Sequence, residues 1–190
     1  MTFDELTDGE LSLRPHNDDD APALVAEIGN PRVSQNLDDR VPYPYTLEDA
    51  RQFLALSRAL AGGANLAIVA EGRLVGGIGH HPQSGMFRQT AEMGYWLGEA
   101  YWGRGWMTRV ARLFCAWVFG ATELERLEAR VFAGNAASRR VLEKAGFRHE
   151  GTLRRAAVKR GKEHDVCVYG LLRREDANND DAYSFRIGRA

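Results

Sequence analysis

One stretch decides the fold: TAEMGYWLGEAYWGRGWMT, residues 90–108. Residues 90–97 alternate between apolar and polar side chains, which predicts a half-exposed strand. Gly103 and Gly105 come next and predict a loop. Behind the loop, apolar residues recur at three- and four-residue spacing, which predicts one face of a helix: Trp106, Val110, Leu113, Phe114 and Trp117. The stretch is therefore predicted to run strand, glycine loop, helix.

The segments before this stretch predict an antiparallel start to a sheet. Leu11–Pro15 alternates like a half-exposed strand. Leu66–Ala70 and Leu74–Gly79 are apolar runs on either side of Glu71-Gly72-Arg73, which predicts a hairpin. Helical patterns with polar capping residues fill the interval between the first strand and the hairpin.

The segments after the stretch continue with strand, helix and two strands. Leu127–Val131 predicts a strand, and Asn135–Ala145 predicts a helix that Gly146 ends. Two further strands are expected at Phe147–Arg155 and His164–Leu172. The chain has no internal repeat and no linker long enough to divide it. We therefore predict a mixed α/β fold in a single domain, residues 1–174, with a polar, mobile tail at 175–190.

Composition excludes several classes of protein. The chain has 190 residues, of which 44% are hydrophobic and 27% charged, enough for one globular core. No apolar run approaches the ~18–20 residues of a membrane span, and the acidic N-terminus lacks a signal sequence. Cys115 and Cys167 alone make neither a disulfide framework nor a metal site, and we expect both to be buried. We expect a reduced, cytoplasmic protein with no membrane partner and no metal.

The formal net charge of −1 conceals an uneven distribution. Residues 1–100 hold 7 Lys/Arg and 15 Asp/Glu, whereas residues 101–190 hold 18 and 11. A basic second half favours an anionic ligand such as a phosphate, although a solvated basic face would give the same composition. Nucleic acid is not expected as a partner, because the basic residues interleave with apolar periodicity and form no nucleic-acid module.

The glycine loop is a candidate phosphate site. Gly103 and Gly105 stand between a predicted strand and a predicted helix, where glycine lets the backbone approach a ligand. The helix behind them offers free N–H groups and the positive end of its dipole, which suit a pyrophosphate. The loop lacks the Gly-Lys-Ser/Thr of a Walker A motif and the third glycine of a dinucleotide-binding turn.

Three segments together, residues 91–97, 101–108 and 135–147, resemble the GNAT acetyltransferase superfamily, in particular its RimJ/RimL branch of ribosomal-protein N-terminal acetyltransferases. The resemblance spans Leu11 to Leu172. It implies a central twisted, mostly antiparallel sheet flanked by helices and splayed at the acetyl-CoA site. It also implies direct acetyl transfer from acetyl-CoA to a primary amine, with a protein or peptide N-terminal α-amine as the first expectation.

Other outcomes stay open at this point. The acceptor could instead be a small-molecule amine, such as an antibiotic or a polyamine. The chain could also be a CoA-binding module with little catalysis. Members of the branch include dimers, which favours a homodimer.

The resemblance implies a set of cofactor-binding residues. The loop would bind the pyrophosphate, the end of the preceding strand would pair with the pantetheine arm, and the start of the later helix would lie near the thioester sulfur. These residues are Trp102, Gly103, Arg104, Gly105, Trp106, Met107 and Thr108 in the loop, Trp96, Leu97 and Gly98 in the strand, and Asn135 and Ser138 in the helix. Met107 departs from the family, which has a small residue there.

Two residues are candidates for catalysis. Glu92 is the expected base that takes the amine proton, unless it is an ordinary glutamate on a solvated face. Ser138 is the expected proton donor to the thiolate or a group that binds the sulfur, unless it is a small residue that allows close packing. RimL-like members carry a further glutamate where this chain has Ala157. Three alternatives follow: Glu92 acts alone, the enzyme is slow, or a nearby residue substitutes, namely Glu150, His149 or His164.

Several residues have two interpretations. Asn135 occupies a helix N-cap position and could both cap the helix and contact the cofactor. Trp102 and Trp106 could line the acceptor cleft or pack on the adenine. His80-His81 lacks a third ligand at metal spacing. Three basic residues could contact the 3′-phosphate of CoA or face solvent: Arg139, Arg140 and Lys144.

Overall fold

The computed structural model describes residues 5–176. One mixed sheet has the strand order β1-β2-β3-β4-β5-β6-β8-β7. Its strands are β1 (Leu6–Asp8), β2 (Leu11–Pro15), β3 (Ala64–Ala70), β4 (Arg73–Pro82), β5 (Thr90–Leu97), β6 (Arg126–Phe132), β7 (Arg148–Lys159) and β8 (Lys162–Leu172). The α-helices are α1 (Ala21–Ile28), α2 (Pro31–Ser34), α3 (Leu47–Ala59), α4 (Trp106–Ala121), α5 (Ala136–Lys144) and α6 (Arg173–Asp176).

The sheet is antiparallel except where β5 meets β6. These two strands run parallel because α4 crosses over between them. Their register covers Thr90–Glu92 opposite Arg126–Glu128 and goes no further, although both strands continue. The sheet is thus splayed from Glu92 onward. The predicted mixed α/β fold, with a mostly antiparallel sheet between helices, is confirmed.

Helices cover the sheet on both faces. On one face, α4 and α5 pack on the odd-numbered residues of β5 and form the larger core, which includes Met93, Phe114 and Leu142. On the other face, α1 and α3 pack on β3 and form a second core around Leu24 and Leu54. The opening between β5 and β6 beyond Glu92, called the wedge or the gap below, therefore lies beside α4 and α5.

Two tight turns define the hairpins of the sheet. Glu71 and Gly72 have φ values of 50° and 74°, and Arg160 and Gly161 have values of 51° and 74°. Positive φ at both central residues is the geometry of a type I′ turn, whose twist matches that of the flanking strands. The first turn confirms the hairpin predicted at residues 71–73.

The second turn corrects the predicted ends of the last two strands. The expected boundaries, Phe147–Arg155 and His164–Leu172, leave a long loop where β7 and β8 continue to the turn. The sequence did not predict this continuation because a bulge interrupts it: residues 154–156 of β7 stand opposite Asp165 alone. Arg155 has a φ of 51° there, and its N–H donates to the Asp165 carboxylate at 2.7 Å.

The dipeptide Asn30-Pro31 separates two helices. It follows the end of α1 and begins α2. The Asn30 side chain accepts a hydrogen bond from the Arg32 N–H at 2.9 Å, and proline fits the first helical position because its missing N–H would have no partner there. The same dipeptide is thus a stop and a start.

The predicted tail at 175–190 begins inside α6, and residues 177–190 lie outside the described part of the chain. Cys115 and Cys167 are buried, as expected. No helix among the described residues is long and apolar enough to cross a membrane.

His80 is a buried histidine on β4, between the sheet and α4. Its side chain is 1% exposed, packs against Phe114 and Trp117, and has no hydrogen bond from either ring nitrogen within residues 5–176. Burial, with a smaller contribution from the charge of His81, lowers the pKa of His80 to about 4. The imidazole is therefore neutral in the folded protein at neutral pH.

We predict that His80 makes the fold sensitive to mild acid. In the unfolded chain its pKa is about 6.5, so between that pH and about pH 4 the unfolded state binds a proton that the folded state does not. The free energy of unfolding should fall by about 2 kcal/mol between neutral pH and about pH 5 from this residue. Urea unfolding of wild type and His80→Leu at both pH values checks it. Equal losses in both proteins would contradict the prediction.

Candidate functional site

The wedge exposes the backbone of β5. The Gly98 N–H donates to the carbonyl of Val75 on the neighbouring strand β4, at 2.9 Å. Because backbone groups alternate along a strand, Tyr95 and Leu97 direct theirs the other way, toward the gap that β6 has left. The Leu97 carbonyl there accepts a hydrogen bond from the Trp102 indole N–H at 2.7 Å. What remains is a short, open strand edge.

The three strand residues predicted to bind the cofactor, Trp96, Leu97 and Gly98, have different surroundings. Leu97 presents backbone groups to the gap, whereas the Gly98 N–H is committed to β4. The Trp96 side chain packs against the second core. Gly98 also lies tightly against α1, since a Cβ at this position would clash with the Glu27 carboxylate.

The glycine loop lies between that strand and α4. Gly103 and Gly105 have φ values of 76° and 75°, in the left-handed region that favours glycine. Gly105 is the N-cap of α4, and its carbonyl accepts from the N–H groups of Thr108 and Arg109. Within the described chain, the N–H groups of residues 103–107 have no acceptor. Such a row of free donors at a helix N-terminus suits an anion.

Aromatic and cationic side chains brace the loop. Trp106 stacks on Tyr101 with ring centroids 5.8 Å apart, and the Arg104 guanidinium lies 5.0 Å from the Trp106 ring. Trp102 is 41% exposed, and the Arg32 guanidinium lies 5.7 Å from its ring. The Trp106 ring is thus held by its neighbours, while Trp102 keeps an exposed face beside the loop.

The side chain of Met107 points away from the loop. It is 7% exposed and packs in the larger core beside α4. Because only the backbone of this residue faces the free donors, the bulk of methionine does not fill the anion site. The departure from the small residue of the family is therefore accommodated by the core.

Asn135 caps α5. Its side-chain oxygen accepts a hydrogen bond from the Ser138 N–H at 3.1 Å, as expected from its N-cap position. Ser138 is half-buried, and Leu142 and Ala145 on the same stripe are buried, so the stripe faces the sheet as its spacing predicts.

Tyr95 is a residue that the sequence prediction missed. Its hydroxyl lies 2.8 Å from the Ser138 hydroxyl and 3.1 Å from the Ser138 carbonyl oxygen, so it joins β5 to the start of α5. Burial is the main cause that raises the pKa of Tyr95. The sequence signal was an alternation of apolar residues, in which Tyr95 counted as one more core side chain.

Glu92 stands where β5 and β6 separate. It pairs in register with His81 on β4 and Glu128 on β6. Arg126 and Arg130 form ion pairs with Glu128 at 3.2 and 3.0 Å. The Glu92 carboxylate has no hydrogen bond or ion pair within residues 5–176, so it is available to a ligand.

Glu92 and Ser138 are not in contact. Side chains alternate along β5, so Glu92 lies on the face opposite Tyr95, which holds Ser138. The two candidate catalytic residues therefore face the splayed region from opposite sides of the sheet. Groups on both faces can reach one reaction centre only through the gap.

The predicted substitutes for the missing glutamate are engaged elsewhere. Glu150 forms an ion pair with Arg126 at 2.5 Å, and that hydrogen bond lowers the Glu150 pKa, which is unfavourable for a base. His149 lies 3.1 Å from the Thr152 hydroxyl. His164 stacks on Phe132, and Ala157 is its register partner on β7.

The basic residues of α5 have different surroundings. The Arg139 guanidinium donates to the Tyr169 hydroxyl at 3.1 Å and to the Ala133 carbonyl at 3.3 Å, so it holds the helix to the sheet. Arg140 and Lys144 are exposed, and their role toward a phosphate stays a prediction. No group of three metal-ligating side chains occurs among the described residues.

An open cleft lies between the loop before α3 and the turn that joins β7 to β8. Lys159 is 7% exposed and its ammonium lies 2.6 Å from the Asp39 carboxylate. The Arg160 guanidinium lies 4.3 Å from the ring of Tyr43 and donates to the Ser34 hydroxyl at 2.9 Å. The lining residues are Asp39, Val41, Pro42, Tyr43, Lys159 and Arg160. The sequence Val41-Pro42-Tyr43-Pro44-Tyr45 predicts only an extended loop here, because its two prolines lack backbone N–H donors.

Known proteins are similar to this chain in sequence. The family description "Acetyltransferase (GNAT) domain" matches residues 10–148. The uncharacterized N-acetyltransferase YoaA of Bacillus subtilis (strain 168) is 31% identical over 176 residues, which cover 90% of this chain and 98% of YoaA. The putative ribosomal N-acetyltransferase YdaF of the same organism is 34% identical over 113 residues, or 60% of this chain and 61% of YdaF.

A solved structure shows the same fold. RimL, a ribosomal L7/L12 α-N-protein acetyltransferase in complex with coenzyme A, matches with a TM-score of 0.78 at 22% identity, over 89% of this chain and 98% of RimL. The family match covers most of this chain, and YoaA is similar to it over nearly the full length. This chain therefore belongs to the GNAT acetyltransferase family and is an N-acetyltransferase.

Proposed function

We propose that this enzyme transfers the acetyl group of acetyl-CoA directly to the N-terminal α-amine of a protein or peptide. The observation that carries the proposal is the open edge of β5 beside a loop of free N–H groups. Support for the acceptor comes from the relatives, since YdaF is named as a putative ribosomal N-acetyltransferase and RimL acts on a ribosomal protein.

The two backbone features would bind the two polar parts of coenzyme A. The N–H groups of residues 103–107 would hold the pyrophosphate, because they are free and lie at the N-terminus of α4. The backbone groups of Tyr95 and the N–H of Leu97 would pair with the amides of the pantetheine arm, as a neighbouring strand would, while the Leu97 carbonyl stays with Trp102. The arm would then occupy the gap, with the thioester between Glu92 and Ser138.

The chemistry requires little of the protein beyond orientation and a modest base. An α-amine has a pKa of ~8, so part of the acceptor population is already neutral at neutral pH. The amine nitrogen forms the new bond to the acetyl carbon, the C–S bond breaks and its electron pair stays on sulfur. Glu92 takes the amine proton, directly or through water. The Ser138 hydroxyl donates a hydrogen bond to the sulfur as its charge develops.

The cleft between Asp39 and Arg160 would receive the acceptor chain. It is open to solvent, which suits an extended peptide. The pKa of Arg40 in its loop is raised chiefly by the hydrogen bond to Asp38, and the nearby Glu92 carboxylate adds to this effect. The exposed ring of Tyr43 gives the cleft an apolar surface. The homodimer and the cytoplasmic location expected from the sequence stay predictions.

The loop proposal predicts that Gly105→Ala weakens coenzyme A binding. The new methyl group meets no atom within 4 Å, so the cost is the left-handed φ of 75°, about 1–2 kcal/mol for a non-glycine residue. If the free loop of the variant relaxes out of this conformation, binding must restore it, and titration calorimetry should show an affinity about tenfold lower. Gly120→Ala, in open space inside α4, is the matched control and should bind like wild type.

For catalysis we predict that Glu92→Gln lowers kcat about 100-fold, because the amide cannot accept the proton. The measurement is thiol release from acetyl-CoA across a range of pH, with peptides that differ in their N-terminal residue as acceptors. Glu150→Gln, which removes only one of the two carboxylate partners of Arg126, should retain wild-type turnover. An unchanged pH profile in Glu92→Gln would remove Glu92 from the mechanism.

The acceptor is tested by mass spectrometry of a mixed library of peptides, polyamines and aminoglycosides after incubation with acetyl-CoA. Products confined to peptide N-termini support the proposal, and products confined to small amines overturn it. Tyr43→Ala should then raise the KM for the peptide several-fold, since it removes apolar surface from the cleft. The KM for acetyl-CoA should not change, because Tyr43 lies outside the loop and the gap.

A further inference from the structure

Tyr95 spans the splayed region. It lies on β5 beyond the last residue that pairs with β6, on the face covered by α5. Its hydroxyl reaches two atoms of Ser138, the hydroxyl oxygen at 2.8 Å and the carbonyl oxygen at 3.1 Å. The contact is not one of the backbone hydrogen bonds of the sheet or of the helix, because the Tyr95 side chain makes it. A single side chain thus joins β5 to α5 beyond the point where β5 and β6 separate.

The contact constrains where the Ser138 hydrogen can point. A phenol has one hydrogen to donate. The Ser138 hydroxyl oxygen at 2.8 Å and the Ser138 carbonyl oxygen at 3.1 Å compete for it. When Tyr95 donates to the hydroxyl, the shorter contact, the Ser138 hydrogen must point away from Tyr95; when it donates to the carbonyl, the Ser138 hydroxyl can donate to Tyr95 instead. The Ser138 N–H is already bound to Asn135 at 3.1 Å, so the backbone of Ser138 is fixed as well. Burial raises the pKa of Tyr95, which keeps the phenol protonated as a permanent donor.

We propose that Tyr95 is a positioning residue for acetyl transfer, whose hydroxyl donates to Ser138 and so directs the Ser138 hydrogen at the thioester sulfur. The inference rests on the role of Ser138 in the proposed function. In the step concerned, the C–S bond breaks and its electron pair stays on sulfur. The Ser138 hydrogen bond stabilises that charge until solvent protonates the thiolate. Tyr95 remains neutral and touches neither substrate.

The chain contains a matched control for this proposal. Tyr169 on β8 also holds α5 through a hydroxyl, which accepts from Arg139 at 3.1 Å and donates to Glu143 at 3.0 Å. The two partners of its hydroxyl lie on α5 and do not include Ser138. Tyr169→Phe therefore removes a comparable link between helix and sheet and leaves the Tyr95–Ser138 hydrogen bond in place.

The test is a double-mutant cycle with Tyr95→Phe, Ser138→Ala and the double variant, with Tyr169→Phe beside it. Acetyl-CoA and the acceptor peptides of the library serve as substrates. We expect Tyr95→Phe to lower kcat about tenfold, the effect of one oriented hydrogen bond, with the KM for acetyl-CoA unchanged. In the Ser138→Ala background, Tyr95→Phe should have no further effect on kcat, because Tyr95 acts through the serine. Tyr169→Phe should retain the wild-type kcat.

Other outcomes identify which statement fails. If the effects of Tyr95→Phe and Ser138→Ala multiply, or if Tyr169→Phe lowers kcat equally, Tyr95 has a structural role and the inference is wrong. If Ser138→Ala turns over like wild type, Ser138 has no role in the step and the inference is overturned with it. If wild type acetylates no peptide N-terminus but acetylates small amines, the proposed acceptor is wrong, and the same cycle on the small amine still decides the role of Tyr95.

Discussion

The parallel pairing of β5 with β6 covers Thr90–Glu92 opposite Arg126–Glu128 and ends there. Backbone groups buried without partners are costly, so a sheet does not normally open in its middle. Here the opened edge faces a gap beside the glycine loop, where solvent or a ligand can satisfy it. The site depends on this interruption, because it supplies both the strand edge and the space for the substrate arm.

The opened region is held by contacts that replace the missing ladder. The Trp102 indole occupies the Leu97 carbonyl at one end of the edge, and Tyr95 binds Ser138 further along it. On the far side, Arg139 and Glu143 tie α5 to Tyr169 of β8. Helix α5 is therefore attached to β5, which borders the wedge, and to β8, which lies next to β6. Side chains do here what backbone hydrogen bonds do elsewhere in the sheet.

The sequence predicted those parts of the fold that local chemistry determines. The strand at Thr90–Leu97, the left-handed glycines of the loop and the Asn135 cap each follow from residues within one turn or one strand. It could not predict the Tyr95–Ser138 bond, because the partners are 43 residues apart and tyrosine suits an apolar stripe equally well. The Arg126–Glu150 pair was missed for the same reason: charge pairing across strands depends on register.

Strand β7 lies at one end of the sheet order, so one side of its backbone faces no neighbouring strand. Such an edge is a template for pairing with another chain. The bulge at residues 154–156 interrupts it, because it bends the strand and turns the Arg155 N–H inward to the Asp165 carboxylate. An incoming strand could keep its register on either side of the bulge but not across it. Two copies of this chain would therefore not pair in one continuous register along the full length of β7.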